Sequence, residues 1–276
     1  MSKKKILQLC TLGVLLLAAL IIAGDLTMFI NPGGLLLVLG GTLAGVFLAF
    51  PTHTLAGLWN QLSEINKKRN LNQETLTKIF VHLARMQRTE GVRTLEAQAK
   101  RTGNIFLEMG VAMVVDEKPA QQIRERLEQE FDFMVSRREG QRAVLSLMGR
   151  LAPAFGLAGT MIGLIRMLHT ISDPTEVAAG MSVALLTTFY GIMLANLVIL
   201  PLERKLNEKN RAEAVEMSLI TEGIMGLCTE ENGAAMYARL NSFKFARTDE
   251  EIHFSGNWFN QIKGMVPQLR RSDNDS

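Results

Sequence analysis

Two runs of this chain set hydroxyls, small residues and a proline into otherwise apolar sequence, a combination suited to handling a cation. Leu151 to Leu164 carries Pro153, Gly156, Gly159, Thr160 and Gly163, and Val177 to Leu202 carries Thr187, Thr188, Tyr190 and Asn196. Pro153 has no N–H, so a carbonyl one turn upstream loses its helical donor. Hydroxyl and carbonyl oxygens are hard ligands that partly replace the water around a passing cation. The plainer alternative is packing: small residues let helices approach closely, and Gly159 and Gly163 have GxxxG spacing. Residue types alone favour packing, and the same spacing at Gly41 and Gly45 is read that way. Neither run holds an Asp or Glu at membrane depth, so a carboxylate for ion binding would come from a partner chain.

Other chemistries find no support. There is no Gly-rich phosphate loop, no nucleophile elbow and no His/Cys cluster at metal spacing. His53, His82, His169 and His253 are scattered, and Cys10 and Cys228 are the only cysteines. A surface histidine is the ordinary reading for each His. The sequence therefore predicts no enzyme, no cofactor and no fixed metal.

The elements that position the two runs are membrane spans. The chain has 276 residues, 47% hydrophobic and 21% charged, with a formal net charge of +3. The apolar residues are gathered into four blocks with the charges between them. Blocks at about 6–24, 33–50, 151–168 and 177–202 are each long enough to cross a bilayer, which needs about 20 residues. The turns after the first and third are short, so the spans form two hairpins, 1–52 and 144–203. Those turns hold Asp25, Asp173 and Glu176 and no Lys or Arg, whereas the basic residues crowd the remaining segments. The positive-inside rule then places both termini and the central segment in the cytoplasm. Arg166, in the outer half of the third span, is the one exception.

The central segment, 53–143, is too long for a loop and must fold. Leu76, Ile79, Phe80, Leu83 and Met86 recur at helical steps, as do Ile123, Leu127, Phe131 and Met134. The second stretch runs from Ala120 to Val144, with Asp116 and Pro119 marking its start. After the fourth span a helical extension, 204–245, continues the last helix to about Thr229, and the tail, 246–276, is read as partly disordered. The expected fold is an all-α polytopic membrane protein with four transmembrane helices and a helical cytoplasmic domain.

The run Ala152-Pro153 through Gly156, Gly159-Thr160 and Gly163-Leu164 resembles the third span of MotA/PomA flagellar stator subunits. So does Ala184 through Thr187-Thr188 and Gly191 to Asn196 and Pro201-Leu-Glu-Arg-Lys205 for the fourth span, and Leu39-Gly-Gly-Thr42 for the second. Arg88-Thr-Glu-Gly91-Val-Arg93-Thr-Leu95-Glu96 is similar to a cytoplasmic segment of that family. The resemblance covers about residues 1–245.

It implies a homopentamer around a dimer of a MotB/PomB-type subunit, whose single span supplies the ion-binding aspartate. Pro153, Gly156, Thr160, Thr187 and Thr188 would form the ion pathway, with Pro153 and Pro201 coupling ion passage to conformational change. Arg88, Glu90, Arg93 and Glu96 would engage the rotor's C-ring protein; on one continuous helix Arg88 and Glu96 would be offset by about 80°. The implied role is an ion-conducting stator subunit in the bacterial inner membrane, coupling inward cation flow to flagellar rotation in chemotaxis. The threonine trio resembles the sodium-driven PomA branch, with Na⁺ passing near Thr160, Thr187 and Thr188, and H⁺ as the other candidate. Arg150, Asn31, Ser172 and Gly233 depart from the family's pattern. The alternatives are a TolQ/ExbB-type energising subunit for outer-membrane processes and a membrane scaffold without conduction. The extra hairpin and the Arg88–Glu96 segment argue for the stator.

Overall fold

The computed structural model describes residues 29–65 and 72–245. The first predicted span, at about 6–24, and the tail, 246–276, lie outside the described residues. Among those described, every regular element is helical: α1 (Pro32–Ala49), α2 (Thr52–Ser63), α3 (Gln73–Glu90), α4 (Thr94–Thr102), α5 (Ile105–Val115), α6 (Ala120–His169), α7 (Pro174–Met193), a wider π-helical stretch (Leu194–Ile199), α8 (Leu200–Cys228) and α9 (Gly233–Phe245). Stretches of α1 and α6, and the run from α7 onward, are long and apolar enough to cross a membrane. Their large side chains face outward, with Leu36 75%, Leu48 89% and Ile165 67% exposed. In a soluble protein such patches would be unusual; in a bilayer or an assembly they are the covered surface.

The chain divides into two compact units, 1–70 with 128–216 and 71–127 with 217–276. In the first, α1, α2, the later part of α6, the π-helical stretch and the beginning of α8 share a core of Val46, Leu58, Val144, Leu145, Ala152, Ala195, Ile199 and Leu206. Polar contacts tie its charged end. Arg138 donates from Nε and Nη2 to the Glu213 carboxylate at 3.1 and 2.9 Å. Such a fork is the strong form of ion pair. The buried Gln61 amide donates to Asn210, and Lys209 Nζ donates to the Glu64 carbonyl at 2.9 Å.

The second unit packs α3, α4, α5, α9 and parts of α6 and α8 around Phe80, Leu83, Leu95, Leu107, Leu127, Ile220 and Leu227, all fully buried. The predicted face of α3 is the packed one, with Leu76, Phe80 and Leu83 buried and Ile79 and Met86 half-buried. Gly223 lets the Phe80 ring lie against the α8 backbone, where a Cβ would meet it at 2.6 Å. Arg239, on α9, donates to both Glu231 and Glu222; the hydrogen bond it donates to Glu231 raises its already high pKa, so it stays charged.

One local expectation changes. Arg88 and Glu96 do not share one helix. Gly91 has φ of +88°, which ends α3 and lets α4 start in a new direction. This is the left-handed half of backbone space that glycine enters without a Cβ clash. The second cytoplasmic helix begins at Ala120, where it was read, as the start of α6, and Glu117, at a φ of +54°, lies in the turn after α5.

Candidate functional site

The site is the seam where α6 and α7 face each other. A short turn brings them together, and Asp173 starts α7 by accepting from the Thr175 N–H at 2.9 Å. Pro174 follows at the first helical position, where its missing N–H costs nothing. The Thr175 hydroxyl bonds the same carboxylate, and these hydrogen bonds hold the Asp173 carboxyl below its usual pKa. Arg166 pairs across the turn with Glu176 at 2.9 Å, which explains how a cation is kept near the end of the apolar stretch of α6.

Below the turn the helices touch through glycines. A Cβ on Gly163 would stand 2.7 Å from the Gly180 carbonyl and 2.8 Å from the Ala184 Cβ. One on Gly156 would meet the Thr187 carbonyl at 2.9 Å and the Thr188 Cα at 3.2 Å. Gly191 lies against the Ala152 carbonyl and 3.2 Å, measured the same way, from the Pro153 Cα. Backbone-to-backbone approach of this kind is what small-residue stripes permit in membranes. α6 runs through Pro153 unbroken, so the Gly149 carbonyl lacks its α-helical donor.

The threonines occupy different surroundings. Thr187 is fully buried against Gly159 and Gly34, and its hydroxyl donates to the Val183 or Ala184 carbonyl, each at 3.0 Å. Thr188 is half-buried and reaches across the seam to the Gly156 carbonyl at 3.4 Å. Thr160 is half-buried and donates to the Leu157 carbonyl at 2.6 Å. Each hydroxyl hydrogen is thus used, and each oxygen keeps lone pairs free to accept or to ligate. Pro153, Gly156 and Thr188 come together at the seam with Gly191, and Thr187 sits with Gly159. Pro201 is exposed, just past the π-helical stretch.

α1 closes one side of this seam by contacts the sequence did not announce. The Asn31 side chain caps α1, accepting from Gly34 N–H at 2.9 Å. The Tyr190 hydroxyl accepts from Asn31 N–H at 2.7 Å and donates to the Phe29 carbonyl. Asn31 before Pro32-Gly-Gly was a readable helix start, and a phenol inside an apolar span needs a partner, but nothing in the sequence joined the two. Gly41 and Gly45 pack on Phe155 and Leu151, as their spacing suggested.

The charged candidates lie in the second unit. Arg88 is exposed and donates to the Glu230 carbonyl at 2.7 Å. Glu90 closes α3, Arg93 precedes α4, and both are exposed. Glu96 pairs with Lys100 at 2.7 Å, a contact that raises the lysine's pKa. His53, His82 and His169 are exposed, and no group of three metal-binding side chains occurs among the described residues.

Residues 98–218, which hold the whole α6–α7 seam, match the MotA/TolQ/ExbB proton channel family. The chain is 32% identical over 236 residues to the uncharacterized protein YtxD of Bacillus subtilis, covering 84% of this chain and 87% of that one. The chain belongs to this family. It is also 30% identical over 189 residues to motility protein A of Borreliella burgdorferi, covering 68% of this chain and 73% of the relative. The flagellar MotAB stator complex from Bacillus subtilis contains a similar chain at 26% identity and TM-score 0.73, covering 86% of this chain and 98% of that one. As a member of the MotA/TolQ/ExbB family the protein is an ion-channel component and not an enzyme. The family match takes in Pro153, Gly156, Thr160, Thr187, Thr188 and Pro201 and leaves out Arg88, Glu90, Arg93 and Glu96.

Proposed function

We propose that this protein is the ion-conducting stator subunit of a bacterial flagellar motor, working in the inner membrane with a MotB/PomB-type partner. The observation that carries the reading is the seam itself. Pro153 on α6 abuts Gly191 on α7 with Thr188 beside it, in a chain whose relatives include motility protein A. The partner's span supplies the carboxylate that the apolar runs lack, and this subunit supplies hydroxyl and carbonyl oxygens around it. Five copies around a partner dimer, both termini in the cytoplasm, and Arg88, Glu90, Arg93 and Glu96 toward the rotor complete the proposal. The hairpins 1–52 and 144–203 form its membrane part; 53–143 and 204–245 form its cytoplasmic part.

Na⁺ is the proposed coupling ion. Thr160, Thr187 and Thr188 provide three hydroxyl oxygens near one seam, and a desolvated Na⁺ needs several oxygens where a proton needs fewer. The test is rotation of tethered cells that depend on this subunit and its partner, with external Na⁺ varied at constant pH. Rotation rate is expected to rise with Na⁺ and saturate. Unchanged rotation without Na⁺ rejects sodium coupling, and absence of any motility with the partner present rejects the stator reading.

A further inference from the structure

The π-helical stretch at the inner end of α7 leaves a main-chain oxygen without a donor. Leu200 N–H bonds the Ala195 carbonyl, five residues back. In an α-helix that N–H would serve Asn196; in a π-helix the donor for Asn196 would be residue 201, which is proline and has none. The Asn196 carbonyl therefore has no helical partner from either register. Its side-chain amide turns back, Nδ2 donating to the Ile192 carbonyl at 3.0 Å, and so presents Oδ1 away from that bond.

The cause of the wide turn is packing. Thr187, Gly191, Ala195 and Ile199 are all buried, each four residues after the last. In a regular α-helix a four-residue step overshoots one turn by about 40°. Three such steps would rotate the stripe away from α6, and the wider turn brings it back. Seam contact is kept, and the consequence falls one residue past the buried stripe at Asn196, which is exposed along with Ile192.

Asn196 stands in an uncharged run, seven residues or about 10 Å of rise before Glu203. Main-chain groups without partners are not found against lipid; they occur at that depth only where protein or water covers them. π-bulges also concentrate at functional positions. Thr188, Ile192 and Asn196 follow one another at four-residue steps from α7 into the π-helical stretch, on the strip next to the buried one. We propose that this face lines the aqueous cation path and that the Asn196 carbonyl and Oδ1 form an oxygen site for the hydrated cation, inward of Thr188. The inference rests on the ion-conducting reading above.

Two measurements on the complex with its partner test it. In a Cys10→Ser, Cys228→Ser background, Asn196→Cys is treated in membranes with a water-soluble cationic methanethiosulfonate, beside Leu36→Cys and Leu48→Cys. Asn196→Cys is expected to react at least about tenfold faster, because thiolate forms in water and not in lipid. Reaction as slow as at the two controls overturns the aqueous face. Cation flux is then compared in reconstituted vesicles for wild type, Asn196→Leu and Asn196→Asp, with assembly verified by size-exclusion chromatography. Asn196→Leu is expected to lose most of the flux, while Asn196→Asp retains it with half-saturation at lower cation concentration. Wild-type flux with unimpaired Asn196→Leu overturns the oxygen site, whereas absent wild-type flux overturns the conducting role itself. Where Asn196→Leu fails to assemble, the cysteine comparison decides alone.

Discussion

A methyl group at Gly163 would stand 2.7 Å from the Gly180 carbonyl, and no flexible side chain is there to yield. Gly163→Val should therefore force α6 and α7 apart and destabilise the assembled complex by about 1–3 kcal/mol, read as a lower melting temperature. Thr188→Val is the contrasting change at the same seam. Its shape is nearly kept and only a weak 3.4 Å hydrogen bond to Gly156 is lost, so melting should barely move. Ion flux should fall by about tenfold or more, since one lost ligand is worth about 1.4 kcal/mol. Flux that survives Thr188→Val would return the hydroxyl to a purely packing role. Much of this was legible: glycines at three- and four-residue spacing beside a proline announce a close helix contact. Which threonine is enclosed was not, because Thr187 and Thr188 are adjacent and identical, and only the facing glycines distinguish them. The Tyr190–Asn31 bond joins residues 159 positions apart, a pairing that no local pattern encodes.

Between α3 and α4, Gly91 separates charges that looked like one helical face. Arg88 has a structural task in the fold. α8 ends at Cys228 and the chain turns at Glu230, φ +52°; from α3, Gln87 Nε2 donates to the Leu227 carbonyl (3.1 Å) and Arg88 Nη2 to the Glu230 carbonyl (2.7 Å). The Leu227 carbonyl, which also accepts from the Glu230 N–H, and the Glu230 carbonyl thereby tie the turn after α8 to α3. Arg88→Ala should cost about 1 kcal/mol of stability. It should also speed amide hydrogen exchange around 227–231, where Glu230 and Glu231 N–H close the last turn. Arg88→Lys, which can still donate one bond, should recover part of that protection. If exchange is unchanged in Arg88→Ala, the contact carries no stability and any motility defect belongs to the rotor alone. Elements of this kind escape sequence reading because a helix end and its cap come from opposite ends of the chain. The π-helical stretch escapes for a related reason: Thr187, Gly191, Ala195 and Ile199 read as an ordinary apolar run until α6 shows that all four face one partner.

On the scale of the whole protein, apolar blocks separated by charged segments made the three long apolar helices among the described residues legible, since length and composition decide what a bilayer accepts. The assembly of 71–127 with the segment after 217 was not, being built on long-range contacts such as Phe80 on Gly223. What the whole chain lacks is as informative as what it holds. The apolar runs at 33–50, 151–168 and 177–202 contain no carboxylate, and their one cation, Arg166, is already paired with Glu176. Hydroxyls and carbonyls can share a cation in passing, but a site able to bind and release one at membrane depth needs a titratable or anionic group. This subunit purified alone and reconstituted in vesicles should therefore conduct neither Na⁺ nor H⁺ above the lipid background. Together with a single-span partner bearing an aspartate it should conduct, and replacing that aspartate with asparagine should return the vesicles to background. Conduction by the subunit alone would mean that the path is complete within it, leaving the oxygens around Thr188 and Asn196 to act without a partner's charge.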